Sequence, residues 1–205
     1  MPRPLAGVAL VIASFLIGAI PWGYVAGKAS RGIDLRTVGS GGTGATNVLR
    51  TLGARASALV ALLDILKGLL PVIFARSAGF EAEWVAAAAA VAVAGHCWSP
   101  FIGFKGGKGV ATGAGAAIAL LPQVLLIVPA MALVVWSTKY VSLGALTAAG
   151  LAVLLAVAYA AAGMLDWASA AAILTISGII AIRHEGNIRR LLNGSERRIG
   201  ETISV

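Results

Sequence analysis

The chain reads as long apolar runs separated by short polar ones. Runs near 5–27, 54–77, 84–102, 109–121, 123–138, 141–163 and 167–188 are dominated by Ala, Leu, Val and Ile. They lack the strict apolar–polar alternation of a barrel strand, so the pattern predicts helices. Against the roughly 20 residues that a helix needs to cross a bilayer, the runs predict seven spans, with the fourth and fifth short. Pro122 lies between those two and predicts a tight turn or a pair of half-length helices. Six spans with one re-entrant piece is the other count the pattern allows. The first run, Leu5 to Ile20, has only Arg3 ahead of it and leads into further apolar runs. It therefore reads as a retained first helix and not as a signal peptide. The predicted fold class is an all-α integral membrane protein: a seven-helix bundle with short central helices and glycine-rich loops, one polytopic domain over residues 1–205.

Composition agrees and excludes a soluble domain. Apolar residues make up 59% of the chain and charged residues 12%, with a mean hydropathy of +0.92; too little polar surface remains to disperse a protein in water. In lipid every backbone polar group has to be satisfied within a helix or a closed barrel. The net charge of +8 would suggest nucleic acid in a soluble protein. Here topology accounts for it, and no nucleic-acid partner is expected. Seven spans put loops 28–53, 103–108 and 139–140 on the same side as the C-terminal tail. That side gathers Lys28, Arg31, Arg36, Arg50, Lys105, Lys108, Lys139, Arg189, Arg190, Arg197 and Arg198, whereas the other keeps Arg3 and Arg76 with Glu81, Glu83 and Asp166. By the positive-inside rule the basic side is cytoplasmic and the N-terminus is outside.

Topology asks for basic residues but not for glycine loops, and three glycine-containing polar segments fall on that same side. The first is Gly39-Ser40-Gly41-Gly42-Thr43-Gly44-Ala45-Thr46-Asn47, followed by Arg50. It satisfies a dinucleotide-binding spacing, but a membrane helix precedes it where that motif needs a strand. What remains is a loop whose backbone N–H groups can approach an oxyanion, with Ser40, Thr46 and Asn47 adding side-chain hydrogen bonds. The Arg50 fork suits phosphate or carboxylate. A flexible linker with an N-cap is the plainer alternative. The second segment runs from Gly95 and His96 to Thr112 and includes Gly103, Lys105, Gly106, Gly107, Lys108 and Gly109. Two ammonium groups on a glycine loop just before a helix start suit an anion. Ile102 and Gly109 stand where a Walker loop needs Gly and Ser or Thr. Anchoring on anionic lipid heads would explain the lysines but not the glycines. The third segment is Arg183 to Glu196, where helical spacing puts His184, Asn187 and Leu191 on one face, Arg190 near Asn187, and Glu185 turned away. A bland interfacial helix end is its alternative. Within the second span, Asp64 and Lys67 are three residues apart and predict a bracing ion pair.

Taken together the segments closely resemble the signature motifs of the bacterial acyl-phosphate:glycerol-3-phosphate acyltransferase family (PlsY). Its patterns are GSGNxGATNxxR, GHxxxxFxxFKGGKGVAT and RHxxNIxRLxxGxE, in that order on the cytoplasmic loops of a seven-helix bundle. The match spans nearly the whole chain and includes the D-x-x-K-G-x-x-P of the second span. The resemblance implies acyl transfer from acyl phosphate to glycerol 3-phosphate, giving 1-acyl-glycerol 3-phosphate and phosphate in the bacterial inner membrane. It implies no metal, cofactor or carrier protein, with membrane lipid as the surrounding partner. By motif position Ser40, Lys108, His184 and Asn187 would lie at the reacting centre. Arg50, Thr46, Asn47, Lys105, Gly103, Gly106, Gly107, Gly109 and His96 would bind substrate. Gly42 stands where the family has Asn, which removes a side-chain amide.

The residues also constrain mechanism. Other glycerolipid acyltransferases place an Asp five positions after a His; here those positions hold Phe101 after His96 and Arg189 after His184. Acyl phosphate is an activated anhydride, so orientation and charge stabilisation matter more than a strong base. Direct attack by the glycerol hydroxyl follows, in preference to an acyl-enzyme on Cys97, which has no evident base beside it. The non-enzyme alternative is a transporter or channel for small phosphorylated anions.

Overall fold

The computed structural model describes residues 3–200. Among the described residues ten α-helices follow in order: α1 (Arg3–Ala19), α2 (Trp22–Arg31), α3 (Ala45–Leu52), α4 (Ala54–Ser77), α5 (Ala82–Cys97), α6 (Val110–Leu120), α7 (Val128–Thr138), α8 (Val141–Ala161), α9 (Trp167–Arg183) and α10 (Glu185–Leu192). Short 3-10 turns cover Pro100–Ile102 and Pro122–Ile127, so Pro122 starts a tight turn as expected. Four segments are long and apolar enough to cross a membrane: Pro4–Arg31, Ala54–Ser77, Ala82–Ile102 and Val141–Ala161. Helices α9 and α10, bent by 61° at His184, reach that length and hydropathy only when taken together as one segment. Val110–Leu120 and Pro122–Thr138 are apolar but shorter than a full crossing.

The first predicted helix is broken, and the reason is Pro21. Proline has no N–H to donate into the preceding turn, so the chain kinks and the carbonyls just before it need other donors. Ser99 Oγ donates to Ala19 O at 2.6 Å and Lys67 Nζ to Ile20 O at 2.7 Å. The break thereby ties the first segment to α4 and to the end of α5. Helix α3, inside the expected 28–53 loop, is short and carries little hydropathy; it is held by packing of Leu35, Val48 and Val60 into a small core of their own.

Small residues form the interior and large ones the rim, the reverse of a soluble core and the arrangement that suits lipid. Ala88, Ala89 and Ala92 of α5 are fully buried, while Leu5, Leu126 and Leu154 are largely exposed. Helix α5 sits centrally against α1, α4, α6 and α9. Close approach depends on glycine. A Cβ on Gly68 would collide with the Thr112 carbonyl, and one on Gly115 with the Ile65 carbonyl, so α4 and α6 touch backbone to backbone.

Candidate active site

The first glycine segment wraps around one side chain. Asn47 is buried; its Oδ1 accepts from the Ser40 N–H at 2.9 Å, and its Nδ2 donates to the carbonyls of Leu35, Val38 and Gly42 at 3.0, 3.1 and 2.9 Å. A Cβ on Gly39 would strike that same Oδ1. Asn47, expected to bind substrate, thus spends its amide on shaping the loop. The contact at position 42 is made by a backbone carbonyl, which Gly42 supplies as well as Asn would. Arg36, from the same loop, forks onto Asp34 and donates to Ile102 O at 2.7 Å, joining this segment to the second. The Arg36 hydrogen bonds hold the Asp34 carboxyl down at about 2.

The second segment folds back on the end of α5. The N–H groups of Gly106 and Gly107 donate to Cys97 O and His96 O at 3.2 and 3.1 Å. Arg183, stacked over Trp98, donates to the Gly107 and Gly106 carbonyls at 3.2 and 3.3 Å. These two glycine amides are therefore occupied within the protein. The N–H groups that open α6 remain at the cavity wall with Gly109, which adopts φ +82° at the N-cap. A left-handed φ there explains why the position is glycine.

The third segment turns at His184. His184 Nδ1 lies 2.8 Å from Ile180 O. A carbonyl only accepts, so Nδ1 carries the proton and the neutral ring keeps Nε2 as an acceptor. One turn on, Asn187 Oδ1 accepts from Lys108 Nζ at 2.6 Å and its Nδ2 donates to Glu196 Oε1 at 2.6 Å. Glu196 also accepts from Ser142 Oγ at 2.9 Å and from Arg190 Nε at 2.8 Å. Burial pushes the Glu196 carboxyl up, but the hydrogen bonds from Asn187, Ser142 and Arg190 outweigh it and leave it below its ordinary value. Burial pushes the Lys108 ammonium down to about 8, against the pull of Glu196 and helped by the charges of Arg190, Arg50 and Arg183. Glu185 pairs outward with Arg189, as its helical position predicts.

All three segments meet at one cavity of ≈ 320 Å³. Its wall includes Ser40, Thr46, Arg50, His96, Lys108, His184 and Asn187, together with the starts of three helices at Ala45, Val110 and Val141. Helix N-termini and cations facing one space make an anion basin. A family model described as glycerol-3-phosphate acyltransferase matches residues 8–194. The chain belongs to the glycerol-3-phosphate acyltransferase family. It is 43% identical to "Glycerol-3-phosphate acyltransferase 1" of Deinococcus radiodurans, over 98% of this chain and 99% of that one. It is 42% identical to the Geobacter sulfurreducens glycerol-3-phosphate acyltransferase, over 92% and 95%. Crystal structures of PlsY (YgiH), an integral membrane glycerol 3-phosphate acyltransferase, superpose with TM-scores of 0.88 for the glycerol 3-phosphate form and 0.86 for the lysophosphatidic acid form. They are 40% and 38% identical to this chain, each covering 95% of it and 96% of its own length.

In this glycerol-3-phosphate acyltransferase the anion basin has an apolar continuation. A groove of ≈ 120 Å³ runs between α6, α7, α8 and α9, lined almost wholly by Ala, Val, Ile and Leu side chains. Val110, Ala114, Met131 and Ala145 belong to both spaces. Of the residues expected to bind substrate, Lys105 and Gly103 are exposed outside the cavity wall, and Gly106 is buried behind it. Cys97 is fully buried in the hydrophobic core and is no part of that wall. Glu196 and Ser142 were missed. The glutamate lies inside the third motif and was legible there; Ser142, at the start of an apolar helix, left no signal.

Proposed function

We propose that this chain transfers a fatty acyl group from acyl phosphate to the 1-hydroxyl of glycerol 3-phosphate, releasing 1-acyl-glycerol 3-phosphate and phosphate. The observation that carries the reading is the joining of a cationic cavity to an apolar groove through shared wall residues. One space suits two phosphates and a glycerol; the other suits an acyl chain. Glycerol 3-phosphate and lysophosphatidic acid, named for the forms of the PlsY crystal structures, are the acceptor and product of this reaction. Membership of an enzyme family sets aside the transporter alternative.

Arg50 and Lys108, with the amides opening α3 and α6, hold phosphate oxygens. Ser40 and Thr46 hydrogen-bond at the rim, and His184 and Asn187 face the glycerol hydroxyls. The hydroxyl oxygen attacks the acyl carbonyl carbon, the bond from that carbon to the phosphate oxygen breaks, and phosphate leaves with the electron pair. The hydroxyl proton passes to a phosphate oxygen. The segments form a bundle of seven crossings, α6 and α7 being short ones, with the site at the cytoplasmic end and the N-terminus outside; the basic-residue asymmetry supports this orientation. Labelling of a cysteine introduced at Ser195, blocked by an impermeant reagent only after the cytoplasmic face is opened, tests it.

The decisive experiment incubates purified protein and glycerol 3-phosphate with acyl phosphate, acyl-CoA or acyl carrier protein in turn. Lysophosphatidate is expected from acyl phosphate alone; product from another donor instead, or none at all, overturns the reading. Lys108→Ala and Arg50→Ala are expected to lose most turnover. Cys97→Ala is expected to retain it, and loss in a folded variant would favour an acyl-enzyme.

A further inference from the structure

Against the second glycine segment, and lining the cavity through Asp64 and His96, lies a buried charged group that the reaction as proposed does not use. Asp64 and Lys67 of α4 and His96 of α5 are 1%, 4% and 6% exposed. Lys67 Nζ is 2.8 Å from Asp64 Oδ1, and His96 Nδ1 is 3.6 Å from the same oxygen. The His–Asp neighbourhood that the local sequence lacks is thus made in space, across two helices. A buried ion pair stabilises a fold no better than apolar packing of the same volume, so its place here calls for another reason. The opposite edge of the imidazole supplies one. A Cβ on Gly107 would collide with His96 Nε2, and the next nearest atoms are His96 Cε1 and Cδ2 at 2.9 and 3.1 Å. The Gly107 N–H donates to the His96 carbonyl at 3.1 Å. Gly107 is therefore seated on both the ring and the backbone of His96. The next residue, Lys108, reaches Asn187 Oδ1 at 2.6 Å.

We infer that Asp64 and His96 are positioning residues for acyl transfer: Asp64 fixes the His96 ring, and the ring sets the height of Gly107 and so the reach of Lys108. The inference rests on the functional reading above and assigns His96, which together with Asp64 also lines the cavity, a role through the loop. It also accounts for the glycine at 107, whose φ lies outside the left-handed region: the position excludes a side chain because the imidazole occupies the space.

A double-mutant cycle tests the route. His96→Ala and Gly107→Ala are each expected to lower kcat/KM for acyl phosphate and glycerol 3-phosphate by roughly 10- to 100-fold, the range that misplacement of a catalytic group by about 1 Å produces. Both should divide the loss between kcat and KM in the same way. In the double variant the alanine at 107 meets no ring, so activity should be no lower than in the worse single variant. Losses that multiply overturn the inference, because the two sites then act independently. Replacing the pair, Asp64→Asn with Lys67→Met, removes both charges without stranding either. The variant also gives up the Lys67 hydrogen bond to the Ile20 carbonyl, so turnover is counted per folded protein; it should reproduce the way His96→Ala divides its loss between kcat and KM, and parent-like turnover there overturns the role of Asp64. Where His96→Ala fails to fold, His96→Asn keeps a polar group towards Asp64 while withdrawing the ring edge from Gly107, and the same non-additivity is expected. A parent protein inactive with acyl phosphate overturns the functional reading itself; multiplied losses in an active parent overturn only the positioning route.

Discussion

Glu196→Ala removes the acceptor on which the proposed catalytic arrangement hangs. Three donors converge on that carboxylate: Asn187 Nδ2 at 2.6 Å, Ser142 Oγ at 2.9 Å and Arg190 Nε at 2.8 Å. They do not count equally. The Arg190 side chain is 40% exposed, so its guanidinium turns to water and little is lost. Asn187 is buried, and its orphaned N–H₂ costs about 1–3 kcal/mol; the Ser142 hydroxyl adds about 1 kcal/mol. The sum is about 2–4 kcal/mol. Part of it falls on fold stability, but the geometry directs much of it to the site, because the Asn187 amide is held oxygen-first towards Lys108 only while Glu196 takes its nitrogen. With the amide free to flip, a donor faces the Lys108 ammonium. With about 1.5–3 kcal/mol of it falling on the site, at about 1.4 kcal/mol per decade, kcat/KM should fall roughly 10- to 150-fold. The assay is initial-rate lysophosphatidate formation by purified variant, paired with thermal unfolding in the same detergent to count folded protein. Glu196→Gln should be intermediate, since an amide satisfies Asn187 and Ser142 through its oxygen and leaves only the exposed Arg190 opposed. Glu196→Ala within about threefold of the parent, where Lys108→Ala is inactive, would refute the reasoning.

Burial holds the Lys108 ammonium down to about 8, and in the proposed reaction its charged form holds phosphate, so kcat/KM should decline as pH rises through about 8. The sign for folding is opposite. The folded state resists this charge, so the cost to stability is present below about pH 8 and fades as pH rises towards the ordinary value of 10.5. Lys108→Arg should move the alkaline limb of the rate profile upward, and an unmoved limb would assign it to another group. Gly68→Ala forces a Cβ into the Thr112 carbonyl across the α4–α6 contact. It should cost about 1–3 kcal/mol by overpacking, read as a lowered unfolding temperature. Ala148→Phe narrows the apolar groove. It should raise KM for long-chain acyl phosphates more than for short ones and leave KM for glycerol 3-phosphate within about twofold, a pattern measured across a donor series.

What the sequence made legible follows the range of the interactions involved. Hydropathy is a property of consecutive residues, so helices α4, α5 and α8 stand close to their predicted limits. The motifs are also local, and Ser40, Thr46, Arg50, Lys108, His184 and Asn187 do share one wall. The break at Pro21 was harder to read, because proline is tolerated in membrane helices when other groups satisfy the freed carbonyls. Those groups, Ser99 and Lys67, lie on other segments.

The same limit applies to the glycines. A glycine loop beside lysines suggests backbone amides offered to an anion, but Gly106 and Gly107 give theirs to α5. They are small because His96 and Cys97 press against them. Anion binding and close packing both call for a missing side chain, and sequence carries no mark that separates the two. Partners do: an amide already 3.1 Å from a carbonyl within the protein has little left to give a substrate. In the proposed reaction the phosphate is therefore left to the N–H groups opening α3 and α6 and to Arg50 and Lys108, with the central glycines setting where Lys108 stands. Substitutions at 106 and 107 should accordingly act through the geometry of that lysine, and replacing both lysines of the loop should separate them: Lys105→Ala, exposed and off the wall, leaves turnover largely intact where Lys108→Ala abolishes it.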